Sequence, residues 1–103
     1  MKANWSRQWT FSTAQTDLKI FTPGANNRFY ITDIIISSAV ANTVTLEEDA
    51  AADVKMFKFT LGENGGCVIN LTTPIAANTD GASLLLTTTG TGQFDITVVG
   101  YEE

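Results

Sequence analysis

The chain has 103 residues, enough for one domain and too few for a second. Its net charge is −5, with four Lys and two Arg standing singly, so the basic patch or stripe that nucleic acid requires is missing. It contains no His and a single Cys, which removes the usual general base, any intrachain disulfide and a one-chain zinc set. Sixteen residues are Thr, many beside Val, Ile, Leu or Phe. Such β-branched residues suit a half-buried pleated surface better than a helix.

In chain order, short apolar runs with a period of two recur between Gly, Asn, Asp and Pro breaks. The first strand is predicted at Gln8 to Ser12, and alternation places Trp5, Arg7, Trp9 and Phe11 on one side of an extended N-terminal segment. A second is predicted at Leu18 to Phe21, closed by the turn signal Pro23-Gly24. Arg28 to Ser38 is the strongest run and is apolar on both faces. Strict alternation assigns Phe29, Ile31, Asp33 and Ile35 to one face and Tyr30, Thr32, Ile34 and Ile36 to the other. Asp33, its only acid, is expected at a local bulge, an edge or a subunit contact.

Further strands are predicted at Asn42 to Glu47 and Met56 to Leu61, with Phe57 and Phe59 facing one way. The segment between them, Glu48 to Asp53, is read as a helical turn or a loop at the sheet edge. GENGG then makes a tight connection into a strand at Cys67 to Leu71, where Cys67 is expected as a small buried hydrophobe. Pro74 to Gly81 is read as a long polar connection. Leu84 to Thr89 and Phe94 to Val99 complete about eight strands. No stretch of ten or more residues has helical spacing, and no βαβ alternation occurs. The expectation is an all-β, antiparallel, two-sheet β-sandwich, with residues 1–12 as an N-terminal arm or first strand and 13–103 as one sandwich domain. Periodicity leaves jelly-roll and immunoglobulin-like strand orders both open.

Catalytic signatures are sparse. Neither a Ser-His-Asp nor a Cys-His arrangement can be assembled, and the Gly-rich stretches join strands to strands instead of opening helices. No cofactor is therefore expected. Glu47, Glu48, Asp49 and Asp53 lie close enough in sequence to collect a hard cation, but they lack the spacing of a calcium loop and are read as a solvated acidic edge. The two N-x-S/T matches, at Asn4 and Asn70, are read as chance in a Thr-rich chain. MKANWSRQWTF has no apolar signal region, and no apolar run approaches the about 20 residues that span a bilayer, so the chain is expected to be soluble, intracellular in origin and free of membrane contacts.

Three stretches carry a resemblance to a family. They are Arg28-Phe29-Tyr30-Ile31-Thr32-Asp33-Ile34-Ile35-Ile36-Ser37-Ser38 with Thr43-Val44-Thr45-Leu46 after it; Gly65-Gly66-Cys67-Val68-Ile69-Asn70-Leu71; and Leu84-Leu85-Leu86-Thr87-Thr88-Thr89 followed by the terminal Val98-Val99-Gly100-Tyr101. From Arg28 to Tyr101 the chain resembles the small virion proteins of tailed bacteriophages, which have a compact, tumour necrosis factor-like jelly roll. The resemblance implies a jelly roll acting as a capsid decoration (cement) protein. It also implies a homo-oligomer, a trimer or less often a dimer, made in the host cytoplasm and seated on the major capsid protein of the head. Trp5, Arg7, Trp9 and Phe11 are the expected capsid-anchoring arm, and Phe29, Ile31, Asp33 and Ile35 the expected self-association face. The alternative is a carbohydrate- or receptor-binding module of a phage fibre or tail, with Trp5 or Trp9 stacking on sugar.

Overall fold

The computed structural model describes residues 2–49 and 54–103. Eight strands run β1 (Ala3–Phe11), β2 (Leu18–Phe21), β3 (Phe29–Ser38), β4 (Asn42–Glu48), β5 (Val54–Leu61), β6 (Gly65–Ala76), β7 (Leu84–Thr88) and β8 (Phe94–Glu102). They form two antiparallel sheets of four, ordered β1-β8-β3-β6 and β2-β7-β4-β5. The pairs β4·β5, β3·β6, β2·β7 and β1·β8 are nested outward from one hairpin and fall alternately in the two sheets. A long hairpin rolled around a core gives this order, the jelly roll.

The core follows from alternation. In β4 every second residue from Asn42 to Glu48 is buried, so Val44 and Leu46 meet the first sheet while Thr43, Thr45 and Glu47 look outward. Phe94, Ile96 and Val98 do the same on β8. β7 is buried on both sides of its apolar run Leu84–Leu86, as a central strand should be. Trp5 on β1 stacks on Phe21 of β2 at a centroid distance of 4.2 Å and joins the two sheets at one side. This close fit needs a glycine opposite. A Cβ at Gly100 would collide with the Tyr30 carbonyl oxygen and the Trp5 ring.

Two bulges change the register that strict alternation predicts. Between Ile31 and Asp33, β3 has two steps where β8 has one, because Ile31 pairs with Gly100 and Asp33 with Val99. Thr32 is the extra residue. Its hydroxyl lies 2.9 Å from Asp33 Oδ2 and 3.1 Å from the Val99 carbonyl oxygen, so one proton serves two acceptors. Beyond the bulge the inward set shifts by one, to Ile34, Ile36 and Ser38. On β6 the same point is matched by a longer irregularity, since Asp33 pairs with Asn70 and Ile31 with Ile75. β6 therefore continues past Leu71 and through Pro74, correcting the expected break there. Pro is tolerated because β6 is an edge strand with one hydrogen-bonded side.

Strand β4 also secures the loops. Asn42, buried at its start, accepts backbone N–H bonds from Thr89 and Gly90 at 3.0 Å each. Glu48, 1% exposed at its end, accepts N–H bonds from Asn78 and Thr79, one on each carboxylate oxygen, both at 2.8 Å. Glu48 is thus a strand residue buried among loop donors, which corrects its assignment to a solvated acidic edge. Asp49 is exposed, and Ala50 to Asp53, the rest of the expected turn, lie outside the described residues.

Removing the buried Glu48 carboxylate takes two hydrogen bonds from part-buried loop donors and leaves a void at the end of β4, a loss of about 2–3 kcal/mol. Glu48→Ala is expected to lower the melting temperature by about 10 °C or more. The reverse-face substitution Glu47→Ala is expected to change it little. Thermal unfolding followed by circular dichroism measures both.

Candidate functional site

The outward face of the first sheet is the broadest regular surface on the described chain. Register places its side chains in rows across β1, β8, β3 and β6. One row is Gln8, Thr97, Ile35 and Val68; the next is Ser6, Val99, Asp33 and Asn70. On the other flank lie Thr10, Asp95, Ser37 and Gly66. These residues are mostly small and neutral. At the centre Ile35 and Val68 sit directly opposite one another and are 48% and 64% exposed, the large apolar side chains most open to solvent. One exposed apolar residue is ordinary; here two stand side by side across neighbouring strands, at the centre of a face whose other side chains are mostly small and polar.

The two carboxylates on this face are both engaged by hydroxyl donors. Asp33 is held by Thr32, and Asp95 Oδ1 accepts from Thr10 Oγ1 at 2.7 Å. Gln93 Nε2 donates to the second oxygen of Asp95 at 3.3 Å. At the other end of the face Tyr30 and Tyr101 stack at 4.6 Å, with the Lys2 ammonium 4.1 Å from the Tyr101 ring centre.

The expected self-association face is split by the Thr32 bulge. Phe29 and Ile31 are fully buried in the core, whereas Asp33 and Ile35 lie on the outward face. Their alternation is broken by one inserted residue, so the four residues do not share a surface. Val68 was missed because its neighbours Cys67 and Ile69 read equally well as the exposed set. Its position is fixed only by its pairing with Ile35.

Trp5, Arg7, Trp9 and Phe11 do share one side of β1, and that side is turned toward the inside of the sandwich, with the Arg7 side chain reaching solvent at the sheet edge. Trp5 is 7% exposed and packed on Phe21 and Gly100. Trp9 stacks on Phe11 at 6.0 Å, and Phe11 on Phe94 at 6.4 Å. The Arg7 guanidinium stands 5.1 Å from the Phe21 ring centre. Of the two forms expected for residues 1–12, the structure has the strand: β1 pairs with β8 from Ala3 to Phe11. The buried Trp5 ring is not open to a sugar.

A polar recess of about 280 Å³ opens at one end of the sandwich, lined by Ser37, Ser38, Asn64, Gln93 and Asp95 among others. It has hydroxyl and amide groups but no aromatic wall. Among the described residues no three His, Cys, Asp or Glu side chains converge as a cation would need. Cys67 is half-buried beside the core instead of within it, and burial pushes its thiol up, away from the reactive thiolate.

Glu102 ties the Pro23–Asn27 turn to β8. Its Oε1 accepts from the Gly24 N–H at 3.0 Å and from Asn27 Nδ2 at 2.9 Å. These bonds, the Gly24 N–H first, hold its carboxyl below the usual range, with a smaller contribution from Arg7.

No protein-family model matches the chain, and no curated protein matches it. One similar solved structure is the virus-like particle of the extra small virus (XSV) of the giant freshwater prawn Macrobrachium rosenbergii. It covers 98% of this chain and 79% of the other at 13% identity, with a TM-score of 0.40. Likeness at that level is silent on function.

Two outcomes are expected. Trp5→Ala should cost about 3–5 kcal/mol, as truncation of a buried aromatic does, and lower the melting temperature by about 15 °C or more. Because the folded Glu102 carboxyl is depressed, its contribution is complete above the ordinary value of about 4.3 and is lost as pH falls through the lowered one. The gap in melting temperature between the parent and Glu102→Ala should therefore be full near neutral pH and close on acidification. Melts across an acid pH series measure it.

Proposed function

We propose that this chain is a non-enzymatic structural protein of a tailed-bacteriophage virion, a decoration (cement) protein that binds the outer surface of the head as a homo-oligomer. The observation that carries the reading is the outward face of the first sheet, mostly small polar side chains with the hydroxyl-engaged Asp33 and Asp95, centred on the exposed Ile35–Val68 pair. The jelly-roll strand order and the resemblance of Arg28 to Tyr101 to small virion proteins support it. The partner in this reading is the major capsid protein, and the residues at the contact are Ile35, Val68, Thr97 and Asp33.

The mechanism is thermodynamic. A protein that binds the assembled shell and not its separated subunits stabilises the shell by mass action. Repetition of the contact over the shell, and of sites within each oligomer, multiplies the effect. Nothing in this mechanism needs a reacting group, which fits a chain whose buried carboxylate, Glu48, is engaged by backbone donors.

The test is co-sedimentation with expanded capsid shells of the virus from which the chain comes. Saturable binding at a fixed copy number per capsid subunit is expected. Ile35→Lys, which leaves the core untouched, should weaken that binding by about tenfold or more, the effect of a charge placed at the centre of an interface. A chain that stays in the supernatant at saturating shell concentration sinks the reading. Capture by an oligosaccharide array would then favour the fibre or tail module, with the polar recess as its site.

A further inference from the structure

Four strands are at sheet edges: β1 and β6 in one sheet, β2 and β5 in the other. Soluble β proteins guard such edges with charge, Lys above all, because an open row of N–H and C=O groups invites another strand. Three of these four are guarded. β1 carries Arg7, β2 carries Lys19, and β5 carries Lys55 and Lys58. β6 carries no Lys, Arg, Asp or Glu anywhere from Gly65 to Ala76. It is also the longest strand, and its Gly65–Thr73 stretch presents about 30 Å of backbone.

Apolar side chains flank this edge on both faces. Outward, Val68 is 64% exposed next to Ile35. Inward, Cys67, Ile69 and Leu71 are only half-buried, and Phe57 and Phe59, stacked at 5.9 Å on β5, are half-buried too. The sandwich is thus unfinished along the β5–β6 side, and a strand laid on β6 would cover both faces at once.

We propose that β6 pairs with β6 of a second copy, antiparallel about a twofold axis. The inference rests on the homo-oligomer of the preceding reading and names its contact. Antiparallel pairing centred on Val68 sets Val68 against its counterpart, Cys67 against Ile69 and Gly66 against Asn70. Outward residues then meet outward ones, inward meet inward, and two four-stranded sheets become one of eight. Self-complementarity makes a second copy the occupant, since β6 in this register meets its own uncharged, phase-matched side chains, and charge sets where two copies can meet. Each copy carries −5, so close approach costs least where neither surface has a charge, and β6 is the one edge that meets this condition. A twofold contact of identical strands satisfies it on both sides.

The experiment is sedimentation equilibrium of the intact chain over a wide concentration range. A monomer–dimer equilibrium is expected. Val68→Lys, at a site facing away from the core, should raise the dimer dissociation constant by about tenfold or more through like charges at the centre of the contact. Ser6→Lys on exposed β1 adds the same charge to the opposite edge and should leave association unchanged. Each variant lowers net negative charge, so general repulsion would shift both in the other direction. Circular dichroism confirms that both fold. A trimer, a monomer at every concentration, or equal effects of the two variants would overturn the pairing. A monomer that still saturates shells overturns the pairing and the homo-oligomer while leaving the capsid contact standing, and a dimer that ignores shells overturns the capsid reading alone.

Discussion

The arrangement depends on the two buried polar ends of β4. In a jelly roll most connections cross from one sheet to the other, and a crossing segment has no ladder to receive its backbone donors. Asn42 and Glu48 supply acceptors for the two connections that flank β7, with four N–H bonds between them. Val44 and Leu46, fully buried, lie between these two residues on the same face of the strand. One strand therefore sets the separation of the sheets and the path of the loops entering and leaving β7. Thr88 extends the arrangement, because its hydroxyl accepts the Gln15 N–H at 2.9 Å and fastens the segment before β2.

Much of the fold was legible in the sequence. Alternation, Thr content and Gly-rich breaks point to eight strands, and seven strand centres fall within the expected runs, whereas β1 starts at Ala3, five residues before the expected Gln8. Strand order was not legible, because period two reports which way side chains point and not which strand lies beside which. The bulge at Thr32 was hidden for a related reason. In a run as apolar as Ile34-Ile35-Ile36, either phase supplies a plausible core, and only the pairing of Asp33 with Val99 chooses one. Glu48 was misread because its neighbours Glu47 and Asp49 made a group of acids of it. Its inward phase, shared with Val44 and Leu46, was the signal that could have separated it from them.

The candidate site shows the same division. Ile35 was singled out from the sequence, but its companions Phe29 and Ile31 belong to the core, and its true neighbour Val68 comes from a strand thirty-three positions on. Surface patches on sheets are assembled across strands, so a single strand reveals at most one column of them. The aromatic row of β1 is the opposite case. Its spacing was read correctly, while its direction depended on Phe21 and Gly100, both distant in sequence.

The nested pairing also sets a timetable. Hairpin β4·β5 closes a short loop, whereas the β1·β8 ladder joins Ala3 to Glu102 across nearly the whole chain. Loop entropy makes such distant ladders slow, and folding of all-β domains of this kind takes about milliseconds to seconds. In that interval β8 has an open side, waiting for a strand synthesised long before it. Arg7 and Lys2, within and beside β1, keep charge on the segment that carries both tryptophans whenever this long-range ladder is open.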